Sequence, residues 1–364
     1  MVWGFRRVFI WLVTFSICAQ LSFLTTAKAM EVDSFTAPPQ PLGDIGALVS
    51  SHVYSKLPGL MDKLNSKLQH QKNLRFQGRI TGRTSFISYK FDPSYLLSQN
   101  EGWGLPETFI ELWLNYSRSI PSTDRFSSPF NHSAYRGIHS PVPLATTVIA
   151  PVVNMYGIYI GTDKLGHFLQ QGYEYYLVYL QAITAGQTEN EALAAAVHHG
   201  THQEDSYYGT TLSGIRSNGD LSANFSGLHF YLSLTHEMTI YGEKVPPALI
   251  FQNEQWQLNP ARHADQLLRP FITPHMSEAV NPSEFEFNHD ILHKAIVARC
   301  ATWANAVPFV EKGNFNNYDL ASWNGLPYGF AVDKEKSMAF WTECPAANAE
   351  VFKHFYFSSE PKRN

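Results

Sequence analysis

The sequence predicts a mainly α protein, a multi-helix bundle carrying a few short β-strands or hairpins. Apolar residues make up 44% of the 364 residues and charged residues only 16%, which allows a sizeable core and argues against a disordered chain. Several windows after residue 45 place apolar side chains at helical spacing, whereas alternating apolar and polar runs are short and few. No fixed-period repeat is visible. The 27 basic and 31 acidic residues give a net charge of −4, which argues against nucleic acid as the partner, since a phosphate footprint needs clustered Lys and Arg. Aromatic residues reach 14%, a level that suits a groove for sugars, lipids or peptides and equally suits an aromatic-rich core.

The chain opens with Arg6 and Arg7, an apolar run from Val8 to Leu24, and Ala27-Lys28-Ala29, the small-x-small form of a signal peptidase site. Residues 1–29 therefore read as a signal peptide cleaved after Ala29, with Met30 first in a periplasmic or secreted chain. An uncleaved anchor helix is the alternative, because the run approaches spanning length. Cysteine usage fits export. Cys18 leaves with the signal, and Cys300 and Cys344 remain as an even pair expected to form one disulfide; two unrelated buried thiols are the alternative. Neither lies in a Cys-x-x-Cys motif.

Residues 30–44 form a Pro-rich lead-in, and 45–364 read as a single mostly helical domain. Residues 45–72 look helical, with a break at Pro58-Gly59. Residues 84–91 suit a short strand. Residues 106–118 suit a helix with proline in its first turn. Residues 142–160 are apolar but hold Pro143, Pro151 and Asn154, which predicts a buried irregular segment rather than a membrane span. Helices are expected over about 163–184, 189–207 and 219–235, a small hairpin over 249–258 around Asn253-Glu254, and a last helix over about 283–306.

The three central helices carry the candidate chemistry. Asp163 and His167 are four residues apart and share one helix face, with Gln170 and Glu174 continuing the stripe. Such a stripe is also what a plain solvated face looks like. On the second helix, His198 and His202 have the spacing that lets two imidazoles reach one metal ion, but His199 stands where a zinc protease needs its general-base Glu. Glu204 falls at helical spacing from Thr201, Val197 and Leu193, on the apolar side, where a carboxylate needs a partner and its pKa is perturbed. An earlier helix end would instead leave it exposed. On the third helix Asp220 and Asn224 are four apart, with Gly227 on the same side; Asp220 also suits a simple helix-start role.

The run Asp163-Lys164-x-x-His167-Phe168, then Glu204, then Ser217-x-x-Asp220-Leu221-x-Ala223-Asn224-x-x-Gly227 resembles the VanZ-like pattern. The resemblance covers about 65 residues. It implies that Asp163, His167, Glu204, Asp220 and Asn224 form a shared polar cluster. It names no reaction, and VanZ-like helices are membrane-embedded whereas these are rich in Gln, Tyr, Glu and His.

Two function classes follow. One is an exported, metal-dependent hydrolase of a cell-envelope lipid, phosphate ester or glycan. A divalent ion, zinc or manganese, would be held by Asp163, His167, His198, His202 and Glu204, with Glu204 or His167 as base. The other is a non-catalytic envelope protein that binds a membrane lipid or another envelope component, its cluster serving as an internal scaffold. His289 and His293, also four apart, are weaker metal candidates. No Gly-x-Ser-x-Gly elbow, Walker motif or dinucleotide-binding fingerprint is present.

Overall fold

The computed structural model describes residues 31–76, 108–138, 148–206, 209–211, 213–240, 243–279, 283–285, 291–292 and 294–299. Residues 1–29, read above as a signal peptide, the strand expected over 84–91, His289, His293, Cys300 and Cys344 lie outside the described residues. The mainly α fold with small β elements is observed. Its α-helices are α1 (Gly46–Tyr54), α2 (Leu57–Phe76), α3 (Thr108–Tyr116), α4 (Asp163–Leu169), α5 (Gln171–Thr184), α6 (Glu189–Glu204) and α7 (Asn218–Ser233). Among the described residues no helix is long and apolar enough to cross a membrane.

The Pro-rich lead-in is packed against the domain. Val32, Phe35 and Leu42 are buried, and isolated bridges tie Val32 to Ala150 and Asp44 to Asn154. The break between α1 and α2 falls at Ser55 and Lys56, just before the expected Pro58-Gly59, because Pro58 is accommodated in the first turn of α2, where its missing N–H is not needed.

Of the segment 142–160, read above as buried and irregular, residues 148–160 are described; they are largely buried, but the structure corrects the irregularity. Strands β2 (Val152–Met155) and β3 (Ile158–Gly161) pair antiparallel, and β1 (Arg125–Phe126) adds to the other edge of β2. Tyr156 and Gly157, both at positive φ, make the two-residue hairpin turn. Pro151 precedes β2 and removes no ladder hydrogen bond from within it. Asn154 belongs to the turn: its Oδ1 accepts from the Gly157 N–H at 3.0 Å, and its Nδ2 donates to the Leu42 carbonyl at 3.0 Å. Strand β3 runs through Thr162 into α4, so the hairpin fixes where that helix begins.

The single helix expected over 163–184 is interrupted at Gln170. The Leu169 carbonyl accepts from the Tyr231 hydroxyl at 2.6 Å, and the Tyr173 N–H bonds instead to the Gln170 carbonyl at 3.1 Å. Helix α6 starts with a capping box: the Thr188 N–H donates to Glu191 Oε2 at 2.8 Å, and the Glu191 N–H donates to Thr188 Oγ1 at 3.3 Å. Helix α7 starts at Ser217, whose Oγ accepts from the Asp220 N–H at 3.1 Å. Helices α4, α5 and α6 surround α7, and every residue of α7 from Gly219 to Leu228 is buried.

Two further strand pairs follow α7. Strands β5 (Met238–Ile240) and β6 (Glu243–Val245) pair, as do β7 (Leu249–Gln252) and β8 (Gln255–Leu258). The second is the hairpin expected from sequence, with Asn253 and Glu254 both at positive φ. The last helix does not begin near 283. Glu284 and Phe285 form β9, which pairs with β4 (Ile215–Arg216), and helical backbone is described only over 291–292 and 294–299. The pairing gives the backbone groups of Ile215 and Arg216 partners, which a helix at that position would leave unmatched.

Candidate functional site

Four acidic side chains and two basic ones meet where the start of α4, the end of α6 and the start of α7 come together with the segment at 278. At the centre is Lys164, fully buried. Its Nζ lies 2.8 Å from Asp163 Oδ2, 2.5 Å from Asp220 Oδ1 and 2.7 Å from Glu278 Oε1. Ser217 Oγ stands 3.4 Å from the same ammonium and donates to Glu278 Oε1 at 2.9 Å. On the other side of Asp220, Oδ2 faces His167 Nε2 at 3.3 Å. Glu204 is buried at the last turn of α6, where its Oε1 accepts from the Ser217 N–H at 2.9 Å. The carboxyl of Glu204 thus ties the end of α6 to the cap of α7.

The arrangement follows from local structure. Asp163 is the first residue of α4 and Asp220 sits in the first turn of α7, where helix N-terminal N–H groups favour negative charge. Asp163 Oδ1 accepts from the Lys164 N–H at 2.9 Å. One turn deeper, the Asn224 carboxamide meets that of Gln171 at 2.7 Å. Turned with its nitrogen toward them, it donates to the backbone carbonyls of His167 and Asp220 at 3.2 and 3.1 Å. Asn224 thereby joins α4 to α7 just behind the charged groups.

Burial separates the protonation behaviour of these groups. It opposes the charge of Lys164, but Asp163, Asp220 and Glu278 outweigh it and hold the ammonium well above its ordinary value. Burial also works against ionised Asp220, yet the neighbouring His167 and Lys164 hold that carboxyl below the usual range. The reverse holds at Glu204, which burial and the Asp220 charge push up to about 8. Burial likewise raises Glu278 to about 7 and raises Asp163 despite its contact with Lys164. Glu31, on the lead-in segment, is raised well above its ordinary value by burial and by Glu278 and Asp220. Near neutral pH the cluster therefore holds a charged Lys164, an ionised Asp220 and a Glu204 that carries its proton.

The structure brings together Asp163, His167, Glu204, Asp220 and Asn224 from three separate helices. Helix α4 is buried along its whole length, so the Asp163–His167 stripe is not a solvated face. It does not bring His198 and His202 to them. Both are exposed on α6, whereas Glu204 on the same helix is buried. This corrects the five-residue metal set: its two solvent-facing imidazoles lie on a different side of α6 from its buried carboxylate. Sequence reasoning missed Lys164, Ser217, Glu278 and Glu31 as members. The signals for Lys164 and Ser217 were present, because both stand inside the runs Asp163-Lys164-x-x-His167 and Ser217-x-x-Asp220. Glu278 and Glu31 carry none, since they reach the cluster only through the tertiary fold.

The ligand atoms of Asp163, Asp220 and Glu278 lie within 4.8 Å of one another. An all-oxygen set suits a hard cation such as manganese better than zinc, which favours nitrogen and sulfur. The space such an ion would fill is the space held by Lys164 Nζ, which touches one oxygen of each of the three.

No family model, curated protein or solved structure matches this chain.

Proposed function

We propose that this is an exported cell-envelope protein whose buried cluster performs acid–base hydrolysis of an envelope ester, phosphate ester or glycan. The observation that carries the reading is the His167–Asp220 pair, 3.3 Å apart, each side chain 10% exposed while Lys164 and Glu278 behind it are sealed from solvent. A substrate would approach from this exposed edge. As the water oxygen attacks and the scissile ester, phosphate-ester or glycosidic bond breaks, His167 would take the proton of that water and then return it to the departing oxygen, with Asp220 stabilising the imidazolium in between. Glu204, protonated near neutral pH, would be the proton reservoir. The metal-dependent form of this reading requires a divalent ion to displace a buried ammonium from three carboxylates, so we favour the metal-free form.

The test is turnover of p-nitrophenyl acetate, p-nitrophenyl phosphate and a p-nitrophenyl glycoside by the purified chain and by His167→Ala. The reading expects one substrate class to be cleaved, and His167→Ala to lower kcat/KM by at least about 100-fold, the scale of general-base catalysis, in protein that remains folded at the assay temperature. No turnover of any probe by the wild type, with His167→Ala acting only on stability, would sink it.

One observation favours the second reading, a non-catalytic envelope protein with an internal charged scaffold. The Lys164–Glu278 half of the cluster has no exposure at all, as a purely structural ion network would have. Binding of envelope lipid vesicles by wild type and His167→Ala alike, without turnover, would support it.

A further inference from the structure

We infer that Lys164 is a built-in cation that positions the His167–Asp220 pair, standing where other carboxylate clusters hold a divalent metal. This rests on the acid–base reading of the cluster and adds a role for a residue outside the His167–Asp220 pair itself.

Three observations carry it. The ammonium contacts an oxygen of Asp163, Asp220 and Glu278 at once, so three carboxylates from three segments share one positive centre. Those three are the described carboxylates that come close enough together to ligate an ion, and the ammonium lies among them. Ser217 closes the remaining side, with Oγ 3.4 Å from Nζ and donating to Glu278. The ammonium donates to Asp163 Oδ2, to Glu278 Oε1 and, at 3.4 Å, to Ser217 Oγ, which uses its three N–H donors, and it meets Asp220 Oδ1 as an ion pair.

The position of Lys164 has a consequence at His167. Asp220 is shared, Oδ1 toward Lys164 and Oδ2 toward His167. The ammonium orients the carboxylate so that its second oxygen faces the imidazole. It also places a positive charge one carboxylate away from the ring. Removing that charge makes a second positive charge on His167 easier to hold, so the imidazole should titrate at higher pH. The charged groups near His167 that shape this response are Asp220, Asp163 and Glu204, with Lys164 on the far side of Asp220.

Two measurements test the inference. In the first, wild-type protein is equilibrated with millimolar Mn²⁺ or Zn²⁺, desalted and analysed for metal. The expected result is well below one ion per chain. A stoichiometric ion that disappears in Asp163→Asn would overturn the inference, because the ion would then occupy the ammonium's place. In the second, the His167 imidazole is followed by NMR against pH in wild type and Lys164→Met, with His167→Gln used to assign its signal. The expected result is an upward shift of the midpoint by at least half a pH unit. An unchanged midpoint in a folded Lys164→Met would overturn the inference. If Lys164→Met does not fold, the metal measurement decides alone, since it uses only the wild type and Asp163→Asn. Neither measurement reads turnover, so a failed hydrolase assay leaves both results intact and the two failures can be told apart.

Discussion

Gly172 of α5 and Gly227 of α7 meet backbone to backbone. A Cβ on Gly172 would stand 2.6 Å from the Gly227 Cα, and one on Gly227 would stand 1.9 Å from the Phe168 carbonyl oxygen. Neither position can hold a side chain without moving a helix. The contact seats α7 against the α4–α5 junction, next to the Asn224–Gln171 contact and two turns from Asp220. The charged cluster is thus placed by a pair of residues that carry no charge.

Gly227→Ala should therefore be strongly destabilising. Ala is the better helix former by about 1 kcal/mol, which would favour the substitution on an isolated helix. The steric conflict is with backbone rather than with a flexible side chain, and overpacking of this kind costs about 1–3 kcal/mol or more. The expected outcome is a net loss, seen as a lower urea midpoint. A midpoint equal to or above wild type would show that α7 can move away from α4 freely.

Glu204→Gln should change the pH dependence of stability. The folded-state pKa of Glu204 is raised from 4.5 to about 8, so the folded chain keeps a proton that the unfolded chain releases. Its contribution is at its most favourable below the unfolded pKa and becomes progressively less so as pH rises from about 4.5 to about 8. Glutamine resembles the protonated acid and keeps an oxygen for the Ser217 N–H. The melting temperature of Glu204→Gln relative to wild type should rise steadily between pH 5 and pH 8. Parallel melting curves across that window would mean that Glu204 is ionised in the folded protein.

Ser217→Ala removes one hydroxyl with three neighbours. It takes away the acceptor of the Asp220 N–H and the donor to Glu278, and it leaves a polar gap beside Lys164. Loss of an N-cap alone costs about 1 kcal/mol, and an unmatched buried group adds about 1–3 kcal/mol. Chemical denaturation should show a loss above that of the cap alone. A loss below about 0.5 kcal/mol would place Ser217 outside the network.

His198→Ala with His202→Ala should leave both stability and metal content at wild-type levels, because both rings are exposed and lie apart from buried Glu204. Exposed substitutions of this kind stay within about 0.5 kcal/mol. Loss of a bound ion in the double variant would restore the two histidines as ligands.

The helices that build the site were legible from local spacing. Asp163 and His167, and Asp220 and Asn224, could be paired because a helix repeats every 3.6 residues, and Glu204 could be marked because it interrupts an apolar face. The turn at Asn253-Glu254 was legible too, because apolar residues flank it on both sides and Asn accepts positive φ more readily than most residues, although Glu254 also adopts it. Other features were decided elsewhere. The interruption at Gln170 accompanies a bond from Tyr231, 62 residues beyond Leu169, to the Leu169 carbonyl, which no local pattern reports. The hairpin over 152–161 was hidden because both its faces are largely buried, which erases the alternation that marks a strand. Glu278 joins the cluster across 114 residues of chain from Lys164. The sequence by itself determined which helices would form and which polar residues would share a face of each. Only the tertiary structure decided that a lysine stands at their centre and that two histidines of α6 face away, because a charge finds its partners through space and a sequence period records only its own helix.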